Sequence, residues 1–151
     1  QTLYRQMAVK VLTPEQLYDS LAVVLPQTGP RKGGPGNRDP REEFVQFFRS
    51  EGDPNPTAYD RGIPQTLRMM NSPQLLSPRN ESATVRRIIE DATSDTQAIE
   101  RIYLHVLARQ PTDDERTILN DFLARHPGQR EQAYAEIIWS LLNSSEFSLN
   151  H

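Results

Sequence analysis

From Leu17 onward the large apolar residues recur at spacings of four and three (Leu17, Leu21, Val24), one face of an α-helix. The preceding Thr13-Pro14-Glu15-Gln16 is a capping box with Pro at the first helical position. The Thr hydroxyl can accept from a backbone N–H, and Gln16 can answer in return. Pro26 stops this helix. "PQTGPRKGGPGNRDP" (26–40) follows with no large apolar residue, so it cannot offset its ordering entropy and is expected to be a flexible loop. "REEFVQFFRS" puts Phe44, Phe47 and Phe48 on one helical face, although a strand is an alternative for so short a run. A second Pro-rich connection covers 51–62. Ile63, Leu67 and Met70 then share the face of a short helix that starts at Pro64 and stops at Asn71-Ser72-Pro73, with Leu75 and Leu76 pinning the following loop.

The spacing of Val85, Ile88 and Ile89 predicts a helix over about 83–92. Ser94-Asp95-Thr96-Gln97 reads as a second capping box, feeding Ile99, Ile102, Tyr103, Val106 and Leu107. Thr112-Asp113-Asp114-Glu115 reads as a third, feeding Ile118, Leu119, Phe122 and Leu123. A last helix over about 130–143 carries Ala133, Tyr134, Ile137, Ile138, Leu141 and Leu142, with Trp139 off that stripe. So wide an apolar surface predicts packing on more than one side. The same pattern makes Asn143 a helix stop and folds Phe147 back onto the core. There is no period-2 pattern of useful length and no internal repeat. The expected fold is all-α: an irregular bundle of about six to seven helices with two long Pro/Gly-rich loops.

Composition narrows the classes. The length of 151 residues fits one domain, 1–151, with 36% apolar and 25% charged residues and 12 Pro. Net charge is -3 and the 17 Lys and Arg are scattered, which argues against nucleic acid, because phosphate binding needs clustered cations. No apolar run approaches the ~18 residues of a membrane span. The absence of cysteine removes zinc ribbons, thiol chemistry, disulfides and covalent c-type haem attachment from this segment. The chain opens at Gln1 with no signal-type run, and "QTLYRQMAVKVLTPEQLYDSL" reads as if entered mid-structure. It is expected to be an excised or processed fragment of something longer.

Candidate chemistry is sparse. Asp113, Asp114 and Glu115 could form a carboxylate cluster, but acidic residues in a first turn meet the positive end of the helix dipole, and Glu115 occupies the box position. His105, His126 and His151 lie in separate elements without a metal-ligand spacing. Met69-Met70 reads as core filling rather than as soft metal ligands. Asn80-Glu81-Ser82 and Asn143-Ser144-Ser145 match the glycosylation sequon formally, the second next to buried residues. Arg31, Lys32 and Arg38, in the Gly-rich loop, are the candidate partner-contact residues outside the core. No catalytic, cofactor-binding or metal-ligating residue is assigned.

Three stretches carry a family resemblance. "GIPQTLRMMNSPQL" (62–75), "IERIYLHVLARQPTDDE" (99–115) and "IIWSLLNSSEFSLNH" (137–151) resemble the signatures of the planctomycete-type C-terminal domain of unknown function 1553, and "LTPEQLYDSL" (12–21) is similar to a motif upstream of these. The matching positions include Pro64, Asn71, Pro73, Arg109, Pro111, Thr112, Glu115, Trp139, Asn143 and Phe147. Physically they read as helix starts, stops and core, with Arg109 available to the carbonyls of the helix it ends or to Glu115 across the turn. The resemblance implies that the chain is the C-terminal fragment of a longer multidomain protein, an extracytoplasmic, secreted parent of a kind that often carries a planctomycete c-type cytochrome domain. Any haem would sit on a different domain of that parent.

Three functions stay open at this level. The favoured one is a non-catalytic helical module that docks against upstream domains of its parent or a protein partner. The second is part of a polysaccharide-acting hydrolase completed by upstream domains, with carboxylates such as Asp60, Glu90, Asp91 or Asp121 converging on an Arg. The third is an accessory to haem electron transfer, with His105 or a Met facing an open apolar cavity.

Overall fold

A computed structural model describes residues 10–25, 39–50 and 78–150. Among these the chain is all-α, with seven helices: α1 (Pro14–Val24), α2 (Pro40–Ser50), α3 (Pro78–Ile89), α4 (Asp95–Leu107), α5 (Asp113–Ala124), α6 (Arg130–Leu142) and the single-turn α7 (Ser145–Ser148). The expected helix over 63–70, most of the loop at 26–40 and the whole of 51–62 lie outside the described residues, as do Arg31, Lys32, Arg38, Pro64, Met69, Met70, Asn71 and Pro73.

Helix starts follow local chemistry. Thr13 and Thr112 both close full capping boxes. Ser94 closes only half of one: its hydroxyl accepts from Gln97 N–H, while the Gln97 side chain turns away to Thr93, accepting from its N–H at 2.7 Å and its hydroxyl at 3.0 Å. The extra Thr hydroxyl gives Gln97 two donors on one residue, and they outcompete the Ser94 N–H. Two helices begin earlier than their apolar spacing predicted, each at a proline. Pro40 opens α2 inside the expected 26–40 loop, with the Asp39 side chain accepting from Arg41 N–H at 2.9 Å. Pro78 opens α3 ahead of residue 83. Proline has no N–H to orphan and its φ is already helical, so polar residues behind it extend a helix without apolar periodicity. At its other end α3 stops at Ile89, short of residue 92, where Ala92 N–H bonds the Ile89 carbonyl.

Helices α4 and α6 are the centre of the bundle. They pack on each other, and both pack on α3, α5 and α7; α1 carries α2 on its flank. The core joins Leu17, Leu21 and Val24 of α1 to Val85 and Ile88 of α3. Ile99, Ile102, Tyr103 and Val106 of α4 and the broad Ala133–Leu142 face of α6 complete it. The α6 surface is buried on several sides as expected, and Trp139 sits half-buried against the cluster. Tyr18 and Phe44 stack at 5.3 Å between centroids, and the Arg41 guanidinium grips the Asp19 carboxylate with two 3.0 Å bonds, fixing α2 to α1. Ile118 departs from expectation. It is 65% exposed, while Leu123 is fully buried and Leu119 and Phe122 are packed at the edge. One residue is about 100° round a helix, so the α5 stripe centred on Leu119 and Leu123 leaves Ile118 outside the notch.

A short strand pair is also present. Lys10–Val11 (β1) pairs antiparallel with Leu149–Asn150 (β2) in the register Lys10↔Asn150 and Val11↔Leu149, and Leu12 N–H extends the contact to the Ser148 carbonyl at 3.0 Å. Two residues per strand are too few to produce an alternating pattern, which is why periodicity gave no sign of it. No helix among the described residues is long and apolar enough to cross a membrane.

Candidate functional site

Three charged residues of the two C-terminal signatures, Arg109, Glu115 and Glu146, meet at one place. Helix α4 ends at Ala108, whose backbone is left-handed (φ 55°, ψ 24°), and this reversal turns Arg109 back beneath the bundle. Pro111 is buried, and Thr112 caps α5. Arg109 then uses all five of its N–H groups. Nε and Nη2 donate to the two Glu146 oxygens at 2.5 and 2.8 Å. Nη1 and Nη2 donate to the two Glu115 oxygens at 2.9 and 2.8 Å. The second Nη1 hydrogen takes the Gln110 carbonyl at 2.9 Å. The guanidinium carbon lies 5.2 Å from the Tyr103 ring centroid.

The electrostatics follow from that arrangement. Arg109, with help from the Thr112 cap, holds the Glu115 carboxyl down to about 2. The two carboxylates hold Arg109 still more firmly in its charged form. Burial first, and Glu115 second, push the Tyr103 hydroxyl up to about 12. A guanidinium with no spare donor, between two carboxylates, binds one segment to another: it ties the end of α4 to α5 and α7. Of the two partners expected for Arg109, the carbonyls of the preceding helix and Glu115, the structure has Glu115. Glu146 was missed because nothing local links residues so far apart in the chain.

The end of α6 is finished in the same way. Asn143 Nδ2 donates to the Trp139 carbonyl at 2.8 Å, Ser144 Oγ donates to the Leu141 carbonyl at 2.7 Å, and Phe147 N–H returns to Ser144 Oγ at 3.3 Å. Asn143 therefore ends α6 as expected, Ser144 starts α7, and Phe147 is 7% exposed within the core cluster.

Other polar groups form separate pairs. Tyr134 donates to Asp95 at 2.8 Å and Arg130 bonds the same carboxylate; burial, then Asp95, pushes the Tyr134 hydroxyl up to about 12. His126 Nδ1 lies 2.9 Å from the Phe122 carbonyl and its ring stacks on Phe122. His105 meets Arg87 at the end of α1. Asp113 is exposed and paired with Arg116. Glu90, Asp91 and Asp121 are exposed, Asp91 facing Arg101 at 3.6 Å, and Asp60 is outside the described residues. No group of three or more His, Asp or Glu among the described residues is placed to hold a metal ion. A small apolar cleft lies between Leu25, Thr84, Val85, Ile138 and Trp139, and the fully buried Thr84 hydroxyl has no hydrogen-bond partner. No family model matches the chain, and neither does any curated protein or solved structure.

Proposed function

We propose that the chain is a non-catalytic helical interaction module of the planctomycete-type C-terminal family it resembles. It would dock against upstream domains of an extracytoplasmic, cytochrome-associated parent. One observation supports the reading: Arg109, Glu115 and Glu146, charged residues drawn from both signatures, direct their ion pairs at one another. Residues so engaged hold a shape, which suits a surface presented to a neighbour better than a reacting site. In this reading the module holds no cofactor, and haem belongs to another domain.

The test is a titration of the 151-residue chain with the separately produced upstream domains, followed by calorimetry. Saturable association is expected. No association contradicts the proposal.

A further inference from the structure

We propose that Arg87 and His105 form an acid-sensitive clasp on the C-terminal end of α1. The last carbonyls of a helix have no intrahelical partners and carry the negative end of its dipole. Helix α1 has no basic residue of its own in its last turn. Arg87, from α3, supplies the cation instead: its Nη2 lies 3.3 Å from the Val23 carbonyl, 3.1 Å from the Val24 carbonyl and 2.8 Å from His105 Nε2 on α4. One guanidinium nitrogen thus gathers three elements.

The third contact sets the protonation state. Arginine stays charged and only donates, so His105 Nε2 must present its lone pair. Adding a proton there converts the acceptor into a donor and sets a second cation against the first. One side chain must then leave, and the α1 carbonyls lose their cap or the three-way junction opens. The surroundings oppose the proton as well. Burial comes first and Arg87 second in holding His105 below its ordinary value, and the nearby Val24 and Val23 carbonyls only partly offset them. Helix α1 offers main-chain carbonyls and apolar side chains at this end, and α3 offers Arg87. On α4, Arg101 lies one turn before His105 and faces Asp91, while Arg109, past the left-handed end of the helix, is occupied by Glu115 and Glu146. Among the described residues, no carboxylate stands ready to stabilise an imidazolium.

The test combines an NMR titration of the His105 ring with amide exchange along the whole chain between pH 7 and pH 5. His105 is expected to titrate below its unfolded value, and Arg87→Gln to raise it. Protection of the α1 amides, corrected for intrinsic exchange, should fall on acidification. The fall is about tenfold for each unit separating the folded and unfolded His105 values. His105→Gln keeps an acceptor but no titration, and should flatten that fall. Titration at or above the unfolded value, or an undiminished fall in His105→Gln, would overturn the proposal. If Arg87→Gln does not fold, the His105→Gln comparison decides alone.

Discussion

Phe147 belongs to a single turn of helix at the very end of the described chain, yet it is 93% buried, the complement of its 7% exposure. Replacing it by alanine should therefore cost as much as a deep core truncation. Removing most of a buried ring returns about 150 Å² of apolar surface to water, worth roughly 4 kcal/mol at ~25 cal/mol per Å². A denatured chain that is already partly compact reduces this to about 3 kcal/mol. Whatever cavity survives adds to it, giving an expected loss of about 3–5 kcal/mol. Urea denaturation read by Trp139 fluorescence and far-UV circular dichroism measures the loss as a shift in midpoint at unchanged slope. Because α7 is tied down by Glu146 on Arg109 and by β2 on β1, it cannot swing clear and relieve the cavity cheaply. A loss under about 1 kcal/mol would refute that coupling, since it would mean that the terminal turn detaches locally while the bundle stays folded.

The Glu115 carboxyl is lowered from 4.5 to about 2 by Arg109, so the unfolded chain binds more protons between those values and stability rises with pH there. That contribution is complete above 4.5 and lost as pH falls towards 2. With both partners about one-third exposed it amounts to roughly 1–2 kcal/mol after allowance for solvent screening. Acid titrations of wild type and Glu115→Gln should diverge across that window, and parallel curves would contradict the assignment. Thr84→Val replaces a buried, unpartnered hydroxyl with a methyl group and is expected to stabilise the fold by about 1 kcal/mol. A loss of stability in thermal melts would show that the hydroxyl has a partner after all.

Apolar spacing carried the fold a long way. The stripes through Leu17, Leu21 and Val24, through Ile99, Ile102 and Val106, and through Ala133 to Leu142 are all buried as their periodicity predicts. Local polar chemistry was equally legible where the partners are three or four residues apart, as at Thr13, Thr112 and Asn143. What escaped depends on separation or on competition. Arg109–Glu146, Tyr134–Asp95 and Arg87–His105 join residues from different helices, and no local pattern marks them. Gln97 was misread because Thr93 offers a better pair of donors than the Ser94 N–H. Ile118 was misread because a stripe shows which residues share a face but not how wide a notch receives them. Pro40 and Pro78 start helices that the apolar pattern alone begins later or leaves ambiguous.

The claim that Arg109 joins the two signatures into one unit is tested most directly by a double-mutant cycle between Arg109→Met and Glu146→Gln, with unfolding free energies measured for all four proteins. A coupling of about 1–2 kcal/mol is expected for a bidentate pair that is only one-third exposed. Additive effects within about 0.3 kcal/mol would contradict the claim, because they would mean that the two residues stabilise the chain independently.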